Sequence, residues 1–268
     1  MGGLQCSKMH WKYGKASVAG TSHALLNTPC QDAHRFSIIN LADEDILIAI
    51  ASDGAGSATC SEIGAQTITE IFLSRAEQFI TKNNGGQSIT KDLFINWIQD
   101  ARVNILEQAI EKGLSLKDFA CTFFAAIVGA NENYFVQIGD GAIVVSDRDE
   151  PDEYMWIFWP QKGMYFNTTN FVTDEDFIDN LQFEKSEKAL RDIALFTDGI
   201  EGIALKYDKF EAYNPFFDAL FKALRTKNNS ENFDAEIAQF LSSEKVNERT
   251  DDDKTLIIAS RLDSQRTE

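Results

Sequence analysis

Short hydrophobic runs that end or begin at acidic residues are the dominant pattern along this chain. Three of them, at 46–52, 134–138 and 193–197, are typical of buried strands, and each stops at an Asp-Gly pair. A fourth run at 256–260 starts just after the acidic cluster 251–253. If this last strand is antiparallel to its neighbours, the acidic residues meet at one rim of a sheet.

Elsewhere the spacing of hydrophobic residues changes to that of amphipathic helices. Apolar positions three and four apart predict helices over 61–80 and 90–112, the second ended by Gly113. Two further helices are expected at 214–226 and 231–242. The expected buried stripe of the helix over 90–112 is Leu93, Phe94, Trp97, Ile98, Val103, Ile105, Leu106 and Ile110.

The strand patterns occur in blocks, and the helices occur in pairs. This arrangement indicates an α+β fold rather than alternating β-α-β units. Successive strands between 119 and 159 are expected to form a meander with short turns, which favours antiparallel pairing. The remaining strands are expected at 15–19, 34–40, 119–129, 142–147 and 153–159, with loops and a short helix over 160–188.

Composition excludes several classes of partner. The chain has 268 residues and a net charge of −17, from 25 basic and 42 acidic residues, which repels nucleic acids and anionic membranes. The segment 1–14 does not resemble a signal peptide, and no run approaches the roughly 18 apolar residues of a membrane span. We therefore expect a monomeric cytoplasmic protein, with neither nucleic acid nor membrane as a partner. Reduced thiols are expected for Cys6, Cys30, Cys60 and Cys121.

A single domain over 15–262 is the expected organisation. Only four prolines occur, and no segment resembles a long linker. The same reasoning leaves a lead-in at 1–14 and a C-terminal tail at 263–268.

Each Asp-Gly pair has two interpretations. Taken singly it is a turn signal, and a hairpin turn is sufficient to explain Gly139-Asp140-Gly141. Asp53 differs, because a glycine-rich step and then a helix follow it, and Gly54 would allow its carbonyl to approach an ion. Carboxylates on rigid strand ends are how proteins bind hard divalent cations. The combination therefore favours a metal site.

Five motifs, in order, resemble those of the metal-dependent protein phosphatases, the PPM or type 2C family. The resemblance covers roughly residues 16–261. It implies a four-layer αββα sandwich, with two central antiparallel β-sheets flanked by pairs of helices. The motifs are Cys30-Gln31-Asp32-Ala33-His34, Asp53-Gly54-Ala55-Gly56, Gly139-Asp140-Gly141, Thr197-Asp198-Gly199-Ile200 and Asp252-Asp253-Lys254-Thr255.

The same resemblance implies a binuclear Mn²⁺ or Mg²⁺ centre that activates water to hydrolyse phosphoserine and phosphothreonine in proteins. Asp53 is the implied bridge between the ions, and Asp32 is the acid that orients water, so these two are the expected catalytic residues. Asp140 is implied at a third metal site. The implied metal ligands are Asp53, Gly54, Asp198, Asp252 and Asp140.

This chain departs from the family pattern at several positions. Gln31 replaces a frequent Glu, and Ala55 replaces a His of animal members, which together with the length suggests a bacterial member. Gly202 replaces a second acid, for which Glu201 is a candidate substitute. Gln31 implies that one ion is held more weakly or through water, the change to Ala55 does not argue against activity, and Gly202 puts the third ion in doubt.

The phosphate-binding Arg of the family is also missing, because Asn27 occupies its position. His23 is the candidate replacement, and an ordinary loop histidine is the alternative. Two other functions stay open: a pseudophosphatase that acts as a binding module, and a phosphatase of a small metabolite. Residues 148–190 are the expected region of substrate specificity.

Overall fold

The computed structural model describes residues 10–26, 28–42, 44–86, 88–161, 169–226 and 233–262. The strands are β1 (His10–Val18), β2 (Ala33–Asn40), β3 (Asp45–Ser52), β4 (Phe123–Val128), β5 (Asn133–Ile138), β6 (Ala142–Asp147), β7 (Met155–Trp156), β8 (Gln182–Ser186), β9 (Leu190–Phe196), β10 (Leu205–Lys206), β11 (Glu211–Ala212) and β12 (Lys254–Leu262). The helices are α1 (Thr21–Leu26), α2 (Ser61–Asn83), α3 (Lys91–Lys112), α4 (Phe177–Asn180), α5 (Asp198–Ala204), α6 (Asn214–Thr226), α7 (Phe233–Leu241) and α8 (Glu244–Asn247), with a 3₁₀ helix at Leu116–Phe119.

Two five-stranded antiparallel sheets form the centre of the molecule. One has the order β1-β12-β9-β6-β7 and the other the order β2-β3-β4-β5-β8, while β10 and β11 form a separate hairpin. In the first sheet Leu256 of β12 pairs with Phe196 of β9. The start of β12 therefore lies beside the end of β9, as the sequence predicts for the acidic rim.

Three hydrophobic cores separate four layers, which confirms the αββα sandwich. The run in β3 shows why: Ile46, Ile48 and Ile50 pack towards α2 and α3, whereas Leu47 and Ala49 pack between the two sheets. A strand covered on both faces has no polar side, so its sequence is continuously hydrophobic. The third core joins the first sheet to α5, α6 and α7.

The predicted stripe of α3 is partly wrong. Val103, Leu106 and Ile110 are exposed, by 54%, 45% and 68%. They lie on the face opposite the buried one, in which two alanines allow close packing. Alanine carries little hydrophobic signal, so the sequence pattern does not distinguish the two faces. The buried face is Phe94, Trp97, Ile98, Ala101, Ile105 and Ala109.

The expected meander over 119–159 is also partly wrong, because only its β4–β5 and β6–β7 pairs form. β4 pairs with β5, but β6 belongs to the other sheet, so Gly139-Asp140-Gly141 crosses between sheets and is not a hairpin turn. Gly139 and Gly141 have φ of +97° and +95°, a conformation that favours glycine. Within 153–159 only Met155–Trp156 is a strand.

α6 and β6 agree with the predictions at both ends, but β1 begins at His10, five residues before the predicted strand and inside the predicted lead-in at 1–14, because residues 10–14 pair with β12. Cys30, Cys60 and Cys121 are free thiols, whereas Cys6 lies outside the described residues. The same holds for the predicted tail at 263–268 and for parts of the lead-in and of 160–188. Among the described helices, none has the length and hydrophobicity needed to cross a bilayer.

Candidate metal centre

Four predicted acidic residues meet at one rim of the sandwich. Asp53, Asp140 and Asp198 each offer a carboxylate oxygen, and these atoms lie within 4.8 Å of one another. Asp252 lines the same cavity, which has a volume of about 430 Å³ and includes Gly54 in its wall. The structure therefore brings all the predicted metal ligands to one place.

Asp53 is fixed by Thr122, which lies just before β4. The Asp53 amide donates to Thr122 Oγ1 at 2.9 Å, and the Thr122 amide donates back to the Asp53 carbonyl at 2.8 Å. At Gly54 a Cβ would lie 2.7 Å from the Gln31 carbonyl oxygen. The glycine is required because two backbone segments approach closely there.

Asp198 begins α5, directly after β9. Thr197 donates its hydroxyl to Asp32 Oδ2 at 2.8 Å and accepts a hydrogen bond from the Thr255 amide at 2.9 Å. Gly199 has no room for a side chain, because Asp253 backbone atoms lie against it. In the Thr-Asp-Gly motif the threonine thus connects two strands, the aspartate faces the cavity and the glycine permits close packing.

Asp140 is held in the crossing between the sheets. Thr169 donates its hydroxyl to Asp140 Oδ2 at 2.7 Å, and the Gly141 amide donates to Glu201 Oε1 at 2.7 Å. Tyr207 donates its hydroxyl to the other oxygen of Glu201. Glu201 therefore supports the turn that carries Asp140, while Gly202 faces open space.

Asp32 and Asp253 lie behind the cavity. Asp32 is buried and is not among the residues that line the cavity. Asp253 is 2% exposed, and it accepts hydrogen bonds from the amides of Gly20 at 2.6 Å and Gln31 at 2.5 Å. The sequence analysis missed this role. The signal was present, since neighbouring residues at a strand start point to opposite sides and only one of Asp252 and Asp253 can face solvent.

His23 lies against Asp253, with 2.8 Å between its Nδ1 and Asp253 Oδ1. It is not among the described residues that line the acidic cavity. Asn27, at the position of the missing Arg, lies outside the described residues. Phosphate binding by His23 stays a prediction, and the observed geometry gives the ring a structural partner.

The electrostatics of the cavity favour a bound cation. Burial, followed by the charges of Asp32 and Asp198, raises the pKa of Asp53 well above its ordinary value. Burial and the charges of Asp140 and Asp252 raise the pKa of Asp198 to about 8. Asp198 Oδ1 is buried without a hydrogen-bond donor among the described residues. Clustered carboxylate oxygens of this kind fit Mg²⁺ or Mn²⁺.

The raised pKa of Asp198 predicts how the stability of the metal-free protein depends on pH. The folded protein binds this proton more tightly than the unfolded chain, where the pKa is near 3.8. The resulting stability is fully present below pH 4 and is lost as the pH rises through about 8. In EDTA, the melting temperature should fall more between pH 5 and pH 9 for the wild type than for Asp198→Asn. A steeper fall in the variant would contradict this prediction.

Two antiparallel sheets between helical layers, with acidic residues at one rim, place the chain in the class of αββα sandwiches, and comparison with known proteins gives the family. The chain belongs to the protein phosphatase 2C family, whose model matches residues 19–242. The predicted resemblance is thereby confirmed. Serine/threonine-protein phosphatase 3 of Escherichia coli (strain K12) is 36% identical over 255 residues, which cover 94% of this chain and 98% of the relative.

Solved structures share the fold. The crystal structure of a bacterial serine phosphatase matches with a TM-score of 0.64 and 15% identity, over 96% of this chain and 100% of the other. RsbX in complex with magnesium matches with a TM-score of 0.56 and 10% identity, over 94% and 96% of the two chains. At these identities the comparison concerns the architecture alone.

Proposed function

We propose that this chain hydrolyses phosphoserine and phosphothreonine in proteins at a centre of two Mn²⁺ or Mg²⁺ ions. The observation that carries the proposal is the group of three carboxylates within 4.8 Å, in a chain of the protein phosphatase 2C family. The name of the Escherichia coli relative, a serine/threonine-protein phosphatase, supports the substrate class.

The residues present fit such a centre. Asp53 would bridge the ions with the Gly54 carbonyl beside it, and Asp198 and Asp252 would complete the ligand set. Asp140 would hold a third ion, and its place beside Asp53 and Asp198 supports a role near the other two. Bound ions would act as Lewis acids on the phosphoryl group and lower the pKa of a coordinated water.

The described residues of the cavity wall position the reacting groups, and none of them is an obvious activated nucleophile. Ser57 lines the cavity, but none of the three histidines, all of which are among the described residues, lines it, so no histidine is placed to activate the Ser57 hydroxyl. Asp32 lies directly behind, held by the Thr197 hydroxyl at 2.8 Å, and burial raises its pKa to about 7. A carboxyl group with this pKa can accept or release a proton near neutral pH, which supports the catalytic role proposed for Asp32.

The finer expectations belong to the same proposal. We propose a monomer that acts in the cytoplasm, with phosphorylated proteins as partners. The net charge of −17 supports the exclusion of nucleic acids and anionic membrane surfaces. We also propose that residues 15–262 belong to a single domain.

Substrate comparison tests the function. Phosphate release would be measured from a phosphothreonine peptide, a phosphoserine peptide and a panel of sugar phosphates, each with Mn²⁺ and with EDTA. We expect Mn²⁺-dependent release that is fastest from the peptides. Faster release from the sugar phosphates would indicate a metabolite phosphatase, and no release from any substrate would indicate a pseudophosphatase.

A further inference from the structure

A second cleft lies towards the end of α5 that is away from Asp198, with Gly202 and Ile203 in its wall. Its volume is about 450 Å³, and we call it the basic groove. Its floor is apolar and includes Ile203, Phe216, Phe240 and Val246. Its rim carries three cations, Lys206, Lys245 and Arg249.

The charge of the basic groove is opposite to that of the chain as a whole. Among the described residues, no acidic side chain lines it, and none of its three cations forms an ion pair. Lys206 lies over the Tyr213 ring, with 4.6 Å between Nζ and the ring centroid. In a protein of net charge −17, cations without a carboxylate partner around an apolar floor form a surface complementary to an acidic ligand.

Two short segments of the chain link the basic groove to the proposed metal centre. Asp198 faces the acidic cavity and Gly202 lines the groove, and these residues are four apart in α5. They therefore lie on one face of the helix, about 6 Å apart along its axis. At the other end, Arg249 precedes Asp252 by three residues. Both connections between the two clefts are short.

We infer that the basic groove binds the acidic residues that flank the phosphorylated residue of a protein substrate. This inference rests on the proposed function and names a sequence preference for it. An extended peptide advances about 3.3 Å per residue, so side chains two to four positions from the phosphorylated residue reach the groove. The apolar floor can also contact a hydrophobic side chain next to those acidic residues. A free inorganic anion has no such side chain, so the groove fits a peptide better.

Peptide kinetics with the Mn²⁺-loaded full chain test the inference. Phosphothreonine peptides with Asp or with Gln two to four positions from the phosphothreonine would be compared, with p-nitrophenyl phosphate as a substrate that has no flank. We expect kcat/KM of the wild type to be about tenfold higher for the acidic peptide, because a few charge contacts in the groove lower KM. Lys245→Glu/Arg249→Glu should abolish the preference, and Lys91→Glu/Lys112→Glu, on the opposite outer layer, should retain it.

Gly202 offers an independent test, because a Cβ there would meet nothing within 4 Å. Gly202→Leu should raise KM for the acidic peptide while the melting temperature stays that of the wild type. An equal rate for both peptides in the wild type would overturn the inference. So would a parallel loss of p-nitrophenyl phosphate turnover in Lys245→Glu/Arg249→Glu, which would place these cations at the metal centre.

Two more measurements separate the remaining outcomes. If no substrate is turned over, the proposed function fails, but fluorescence anisotropy of the labelled acidic peptide still tests the basic groove. Peptide binding that is weakened in Lys245→Glu/Arg249→Glu would support the inference, and the absence of peptide binding would overturn it. Sedimentation tests a second copy as the occupant. A wild-type dimer that the same variant dissociates would assign the groove to self-association and overturn the peptide assignment.

Discussion

Replacing Asp53 with asparagine is expected to reduce Mn²⁺-dependent phosphate release by about a thousandfold. In the proposed centre this carboxylate would be a ligand of both ions, so its loss would remove their Lewis-acid contribution of several kcal/mol, and about 1.4 kcal/mol corresponds to tenfold in rate. Phosphate release from a phosphothreonine peptide at saturating Mn²⁺ would be the measurement. Asp149→Asn, at an exposed acid away from the cavity, is the matched control and should keep the wild-type rate.

The same variant should be more stable than the wild type when no metal is present. Asp53 lies against Asp32 and Asp198, and its pKa is raised because a charged carboxylate is unfavourable there. Asparagine has a similar shape without the charge. Urea unfolding in EDTA at pH 7.5 should therefore show a higher free energy of unfolding for Asp53→Asn. A wild-type rate, or a variant less stable than the wild type in EDTA, would contradict the assignment of Asp53.

The neighbours Asp252 and Asp253 are expected to respond to substitution in opposite ways. Asp253→Ala leaves the buried Gly20 amide and the partly buried Gln31 amide without an acceptor. Each unsatisfied donor costs about 1–3 kcal/mol, so the free energy of unfolding should fall by about 2–6 kcal/mol. Asp252 is exposed and lines the cavity, so Asp252→Ala should change the unfolding free energy in EDTA by less than about 1 kcal/mol.

Activity separates the pair further. Asp252→Ala should lower Mn²⁺-dependent phosphate release and raise the Mn²⁺ concentration needed for half-maximal rate, although the protein stays folded. Urea unfolding curves and Mn²⁺ titrations of the rate would be recorded for both variants. Equal losses of stability in Asp252→Ala and Asp253→Ala would show that the two acids do not have separate roles.

The strands that carry the site were predictable because each is covered on both faces and therefore continuously hydrophobic. β3, β5, β6 and β9 stand out for this reason. A strand at the edge of a sheet need not be continuously hydrophobic. β8 (Gln182–Ser186) is polar and partly exposed, so its sequence predicts a loop. A helix as short as α5 also shows no period, so its first residues, Asp198 and Gly199, resembled a turn.

The sequence predicts the acidic residues of the site better than the residues that hold them in place. Asp53, Asp140 and Asp198 follow hydrophobic runs, and antiparallel pairing brings such ends together. The hydrophobic pattern of a strand does not indicate the sheet to which it belongs, so the sequence predicts a hairpin turn at Asp140 where the chain crosses between the sheets. Alternation at the start of β12 indicates that one of Asp252 and Asp253 is buried, but the amides that Asp253 and Glu201 accept from lie in distant segments, which no local motif indicates.

Calorimetric titration of Mn²⁺ into the metal-free protein tests the central claim most directly. At pH 7, in buffers of different ionisation enthalpy, the wild type should bind at least two ions and release protons, because the pKa of Asp198 is raised to about 8 and that of Asp53 is raised as well. Asp53→Asn should lose this binding. The absence of saturable binding in the wild type, or the same stoichiometry in Asp53→Asn, would contradict a metal centre at this rim.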